Sequence, residues 1–265
     1  MKDKKVAIIG CGNIGSSLLQ GLLKEKNTPA RNITVTKRNI KDLDHFKQSG
    51  VNLTSDNIQA VKDSNLIVIA VKPYNMVNIL EEIKDYLKPS EHILISVTAG
   101  ITIGQIQDSI KKSIPVFRVM PNISASVGKS VSCICHNNAG SKEIESVRQL
   151  FEMMGTTMII DEELMQSATI LGACGIAYVL RFIRAMIQGG IQIGFDARTA
   201  SEIVNQTVKG AAELLIERKE HPEYEIDKVT TPKGCTIVGL NEMEHNGFSS
   251  SLIKGIVASY EKIEK

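Results

Sequence analysis

Val6-Ala7-Ile8-Ile9-Gly10-Cys11-Gly12-Asn13-Ile14-Gly15 is the stretch that decides the fold. The apolar residues that open it read as a buried strand, and Gly10, Gly12 and Gly15 follow in a G-x-G-x-x-G spacing, with an amphipathic run from Ile14 to Lys26 behind them. Each glycine then has a task. Gly10 makes the tight turn out of the strand, Gly12 lets backbone approach a pyrophosphate, and Gly15 lets helix pack on strand. Asn13 and Ile14 open the helix, whose free N–H groups and positive dipole end face the phosphates. The stretch predicts a dinucleotide-binding unit; the alternative is a glycine-rich turn in an α/β domain with no dinucleotide.

The same alternation continues to about residue 160. Strand-like runs at 6–10, 33–37, 51–54, 66–71, 93–98 and 116–120 are separated by helix-like segments such as 14–26 and 76–87. This predicts crossover units and a parallel sheet with helices on both faces. An apolar run at 130–135, a helix at 142–154 and a strand at 157–160 follow, and after Asp161 only long apolar-periodic segments remain, at 163–194 and 197–219. The expected organisation is an α/β Rossmann-type domain at 1–161 and an all-α domain at 162–265. Both long segments carry more apolar residues than a one-sided surface helix needs, so association through them is expected.

Composition narrows the function. A chain of 265 residues, 43% hydrophobic, can bury a substantial core, and its formal net charge of +2, with Lys and Arg dispersed, argues for a small-molecule ligand over nucleic acid. Residues 164–194 are interrupted by Gln166, Arg181, Arg184 and Gln188 and are expected to form a buried helix, not a membrane span of ~20 nearly uncharged residues. Met1-Lys2-Asp3-Lys4-Lys5 runs straight into the first strand, a boundary unlike a secretory signal, so a cytoplasmic protein is expected. Cys11, Cys133, Cys135, Cys174 and Cys235 include no C-x-x-C pair and predict free thiols; Cys133 and Cys135 would share a strand face and are read as packing, with no metal site expected. His45, His92, His136, His221 and His245 fall on apparent surface or loop segments and supply no general base.

The second strand bears on cofactor choice. NAD-specific folds place an Asp or Glu roughly 20 residues beyond the glycine loop, whereas here the strand ends Val35-Thr36-Lys37-Arg38-Asn39. A hydroxyl beside two cations, Thr36 with Lys37 and Arg38, suits a 2′-phosphate; the alternative is solvated charge at a strand end. The expected cofactor is NADPH, with NADH weaker.

Further segments carry a family resemblance. Ala70-Val71-Lys72-Pro73, Ile95-Ser96-Val97-Thr98-Ala99-Gly100-Ile101 and Arg118-Val119-Met120-Pro121-Asn122, with residues 172–178 and 230–240, are similar to the pyrroline-5-carboxylate reductase family over essentially the whole chain. The resemblance implies hydride transfer from NADPH to the C=N carbon of 1-pyrroline-5-carboxylate, giving L-proline, in a homodimer or a ring of dimers. It implies cofactor contacts from Asn57, Val71, Lys72 and Pro73, and a substrate between the nicotinamide and a loop of the helical half. That loop, close to S-P-G-G-T-T in the family, here reads Thr231-Pro232-Lys233-Gly234-Cys235-Thr236. Thr231, Lys233, Gly234, Cys235 and Thr236 are the implied carboxylate contacts, and Thr236 is the implied catalytic, orienting hydroxyl, for which a helix cap is the alternative role.

The chain departs from the family at Lys233 and Cys235, and at Gly172-Ala173-Cys174-Gly175-Ile176-Ala177-Tyr178, where the family has close to S-G-S-G-P-A-Y. Lys233 either adds a charge-assisted contact to a carboxylate or points to solvent. The β-hydroxyacid dehydrogenases need a Lys on the long helix after the Rossmann domain, and 163–194 has none. The departures leave open a paralogous reductase of a related cyclic imino acid and a non-catalytic NADP-binding regulator.

Overall fold

The computed structural model describes residues 4–25 and 28–264. Met1, Lys2 and Asp3 of the N-terminal stretch, Lys26 of the first expected helix and Lys265 lie outside the described residues. One sheet of eight strands is ordered β3-β2-β1-β4-β5-β6-β7-β8. These are β1 Val6–Ile9, β2 Ile33–Thr36, β3 Asn52–Thr54, β4 Leu66–Ile69, β5 Ile93–Ser96, β6 Val116–Met120, β7 Ser130–Asn137 and β8 Gly155–Ile159. Five helices flank them: α1 Asn13–Glu25, α2 Asn57–Lys62, α3 Met76–Ile83, α4 Ile103–Ile110 and α5 Ser141–Glu152.

Strands β1 to β6 are parallel, and β1, β4 and β5 are buried at every position, as strands covered on both faces must be. Alternate residues feed two cores, because successive side chains point to opposite faces. Val6, Ile8, Leu66 and Val68 join Leu18 and Leu22 of α1 and Phe151 of α5 on one face. Ala7, Ile9, Ile67 and Ile69 join Leu80 of α3 and Ile106 of α4 on the other. Strand order reverses between β1 and β4, the switch point at which open α/β sheets bind ligands.

Two expectations are corrected here. Strand β7 runs antiparallel to β6 and parallel to β8, since only residues 121–129, with one short turn at Ile123–Val127, join β6 to β7. A parallel crossover needs about a dozen residues or more. Second, His92 is buried, 2% exposed, and its Nδ1 accepts the Lys88 backbone N–H at 3.1 Å; His136 lies within β7, its ring 5.4 Å from that of Phe117. Two compact units divide by packing at Cys174, a little beyond the end of β8. The turn Glu162–Leu164, helix α6 Met165–Ala168 and a π-turn at Thr169–Cys174 pack with the sheet through buried Met165 and Ile170. Cys133 and Cys135 are buried in the same core as Met165, where burial first, and Glu162 second, push the Cys135 thiol up to about 11.

The second unit holds α7 Gly175–Gln192, α8 Ala197–Arg218, α9 Pro222–Val229, α10 Cys235–His245 and α11 Phe248–Glu264. Helices α7 and α8 form a packed pair, with Asp196 capping α8 by accepting from the N–H groups of Arg198 and Thr199. The expectation of a buried helix at 164–194 fails over α7, which has no buried residue and exposes Val179, Leu180 and Phe182. Glu162–Gln192 is also long and apolar enough to cross a membrane, contrary to the sequence expectation. Two glutamines and two arginines are too few to hold down an 18-residue window whose mean hydropathy reaches 1.7.

Burial lowers the pKa of His92, and protonation would set a donor against the Lys88 N–H. The unfolded chain, with His near 6.5, therefore binds a proton that the folded chain refuses. Stability present above that pH is lost as pH falls below it toward the lowered folded value. Urea unfolding from pH 8 to 5 should show this decline, and His92→Asn should reduce the slope by up to ~1.4 kcal/mol per pH unit.

Candidate functional site

The glycine loop is built by steric exclusion. Gly10 leaves β1 with φ +92°, and a Cβ there would lie 2.8 Å from the Ala70 carbonyl oxygen. A Cβ on Gly15 would lie 2.2 Å from the Gly10 carbonyl oxygen, so the first turn of α1 abuts the loop only because that atom is missing. Gly12 differs. Nothing stands within 4 Å of its would-be Cβ and its φ is not left-handed, so neither packing nor backbone requires glycine there. What its missing side chain provides is room at the surface of the loop, beside a helix start that carries no acidic residue in its first turn.

The loop opens onto a cleft of about 940 Å³, the size of a site for a substantial organic ligand. Gly10, Gly12, Asn13, Ile14, Thr36, Lys37, Arg38, Asn57, Val71, Lys72 and Pro73 all line it, and Gly15 lies just behind. At the β2 end the residues divide their work. The Thr36 hydroxyl is buried and donates to Asn57 Oδ1 at 2.6 Å, while the Thr36 carbonyl accepts the Gly10 N–H at 3.1 Å. The proton expected for a phosphate is thus committed, and Thr36 with Asn57 fixes the loop. Lys37 pairs with Asp42 at 3.1 Å. Exposed Arg38 has no ion pair among the described residues, which leaves its guanidinium free for an anion.

On the other side of the switch point the cleft is walled by the ends of β4, β5 and β6. Thr98 Oγ1 donates to the Val71 carbonyl at 3.1 Å and fastens two of these ends together. Met120 at the end of β6, Pro121 and Asn122 just beyond it, and Thr169, Ala173 and Cys174 of the π-turn face the same cleft. The sequence marked Asn122 and Cys174 only as motif letters; helical composition across 169–174 gave no sign of a π-turn. Arg118, 5% exposed, pairs with Glu162 at 2.7 Å, and Glu162 also accepts the Ile103 N–H at 2.8 Å, anchoring the chain just before α6.

The loop at 231–236 belongs to the second unit. Gly234 N–H donates to the Thr231 carbonyl at 2.9 Å, which closes a turn with Pro232 and Lys233 at its centre. Lys233 adopts φ +61°, the left-handed value that a Pro-first type II turn demands at its second central position and that glycine supplies best. The family glycine at this position therefore has a backbone reason, and lysine bears a strain of ~1–2 kcal/mol there. Gly234 is the N-cap of α10, so Thr236 sits at the second helical position, not at the cap. The first turn of α10 has no side-chain cap on its N–H groups.

Similarity to known proteins covers both halves. Residues 162–265 match the model described as pyrroline-5-carboxylate reductase dimerisation, and 5–100 the model described as NADP oxidoreductase, coenzyme F420-dependent. The chain is 39% identical to pyrroline-5-carboxylate reductase 2 of Dictyostelium discoideum, over 99% of this chain and 93% of that protein. It is 41% identical to pyrroline-5-carboxylate reductase 1 of the same organism, over 98% of this chain, but spans 49% of that longer protein. The chain belongs to the pyrroline-5-carboxylate reductase family. A crystal structure of Plasmodium falciparum pyrroline carboxylate reductase with NADP bound superposes with TM-score 0.91 at 29% identity, over 99% of this chain and 98% of that one. Membership makes this protein an NAD(P)H-dependent oxidoreductase acting on a C=N bond, with a dimerisation domain in its helical half.

The two glycines should separate fold from binding. Gly15→Ala drives a methyl into backbone and should lower the melting temperature by many degrees or prevent folding. Gly12→Ala should shift it by less than ~2 °C while raising the dissociation constant for NADPH at least ~10-fold, as read by cofactor fluorescence.

Proposed function

We propose that this protein reduces 1-pyrroline-5-carboxylate to L-proline with NADPH. The observation that carries the cofactor assignment is the open surface of Gly12 at the mouth of the cleft, with unpaired Arg38 at the end of β2, where NAD-specific folds place an acid. Near full-length family membership carries the reaction. When bound, the cofactor supplies a hydride. A protonated imine accepts it at carbon while the C=N electron pair moves to nitrogen, so no strong base is required of the protein, and positioning supplies most of the rate.

Residues at 231–236 hold the substrate carboxylate in this proposal. The free N–H groups in the first turn of α10 suit an anion, and Thr231 and Thr236 add hydroxyls. Thr236, inside the helix and not committed as a cap, orients the ring. Lys233, held in a strained turn, extends the carboxylate site. Two copies cover the apolar faces of α7 and α8 as a homodimer, which extends to a ring of dimers. The apolar helix is covered by that partner and not by lipid, consistent with its packed start at Met165 and Ile170. The protein is cytoplasmic and its partners are small molecules and its own copies, with no nucleic acid and no membrane.

Cofactor preference and substrate site give separate tests. A panel of cyclic imino acids, assayed with NADPH and NADH, should show NADPH favoured in kcat/KM, and Arg38→Ala should lower the NADPH value by roughly 10–100-fold while barely changing the NADH value. Equal efficiency with both cofactors in the wild type contradicts the 2′-phosphate reading. Thr236→Val keeps the shape and deletes the hydroxyl; kcat/KM for pyrroline-5-carboxylate should fall by ~10–100-fold with NADPH affinity unchanged. Weaker NADPH binding at full turnover would instead place that loop in the cofactor site.

A further inference from the structure

One wall of the cleft brings together a buried amide and an irregular turn. Asn122 is 4% exposed although it lines the cleft. Its Nδ2 donates to the Gly172 carbonyl at 2.8 Å. Its Oδ1 accepts from the Ser124 N–H at 3.0 Å and from the Ser124 hydroxyl, and its own N–H donates to Ser130 Oγ at 3.0 Å. Gly172 lies inside the π-turn Thr169–Cys174, a geometry frequent at functional sites. A Cβ on Gly172 would meet Val131 Cγ1 of β7 at 3.4 Å, an ordinary contact distance, so the turn lies against the sheet. The residues around this hydrogen bond, Thr169, Ala173 and Cys174, are cleft wall.

Position in the cleft gives the bond a meaning. With its 2′-phosphate at Arg38 by β2, a dinucleotide spanning the switch point would have its reactive half toward the ends of β4 to β6, the part of the cleft that Asn122 and the π-turn line. We infer that Asn122 is a positioning residue for hydride transfer, holding the π-turn wall against the reactive half of the cofactor through its bond to the Gly172 carbonyl. This rests on the proposed reductase activity. Asn122 itself neither donates nor accepts the hydride; it fixes the wall that limits where the nicotinamide and the imine can stand, and near-attack geometry tolerates little error.

The test uses the change from amide to acid. In Asn122→Asp the ionised carboxylate keeps the bonds from Ser124 but faces the Gly172 carbonyl with no proton to give. Protonated, the acid regains a donor. The expected result is a kcat lowered at least ~30-fold at pH 8, with NADPH affinity and KM within ~3-fold of wild type. The ratio of variant to wild-type kcat should climb toward one as pH falls through the raised pKa of a buried carboxyl. Asn122→Ala should show the same loss with no recovery at any pH.

A second readout needs no turnover. Alkylation of Cys174 by iodoacetamide, followed site by site by mass spectrometry, should be at least ~5-fold faster in both variants than in wild type at pH 8, and should slow again for Asn122→Asp on acidification, relative to Asn122→Ala at the same pH. A pH-independent ratio of kcat together with unchanged Cys174 alkylation overturns the inference. So does loss of NADPH binding in step with activity in both variants, which would mark a purely structural role. If wild type reduces no imine in the panel, the reductase reading fails, and Cys174 alkylation still decides whether Asn122 holds the wall.

Discussion

The contact between Gly15 and the Gly10 carbonyl is the constraint from which the rest of the first unit follows. At 2.2 Å from a hypothetical Cβ, the approach admits no other residue and fixes the start of α1 over the end of β1. That places free N–H groups of the helix at the switch point of the sheet and leaves Gly12 facing open space. Hydrophobic burial of β1 and β4 holds both sides of the crevice rigid, so the anion-binding end of α1 is presented without a cost in reorganisation. The geometry precedes the ligand.

Around that point the cleft is held by side chains that do not themselves face the ligand as donors. Thr36 and Asn57 brace the loop, Thr98 ties β5 to the chain after β4, and Arg118 with Glu162 holds the chain that leads into α6. Exposed Arg38, free of such duties, is the residue we propose to recognise charge. The second unit differs: α8 and α9 carry side-chain caps, yet among its described residues only Ala200 and Val204 are buried, so its apolar surface is left for contacts outside the chain.

How much of this was legible depended on the range of the physics involved. The central strands were readable because burial on both faces forces unbroken apolar runs, and the glycine loop because steric exclusion selects one residue type at fixed spacing. The direction of β7 was not readable from its own residues, since it is set by the short link at 121–129. His92 looked superficial because one polar side chain at a strand edge carries no periodic signal. Thr36 lines the cleft, but its hydroxyl is claimed by Asn57, a partner brought near only by the fold. The chain of apolar residues into α7 was visible, whereas what covers them is a property of the assembly. Thr-Ile-Leu-Gly-Ala-Cys at 169–174 has ordinary helical composition, which carries no signal for the π-turn it forms.

The two bonds that pin the entry to the helical half also measure it. Arg118 and Asn122 stand four steps apart along one extended run of chain, a span of about 13 Å. Their partners, Glu162 and Gly172, stand ten steps apart through a short turn, α6 and the π-turn, on the order of 15 Å at the α-helical rise. Strand and helix thus act as two rulers read against each other. A single inserted or deleted residue between Glu162 and Gly172 would slide the helix by ~1.5 Å and rotate all that follows by ~100°, so both pins could not be kept at once. The length of this segment is therefore as fixed as any side chain in the cleft, although no one residue within it need be.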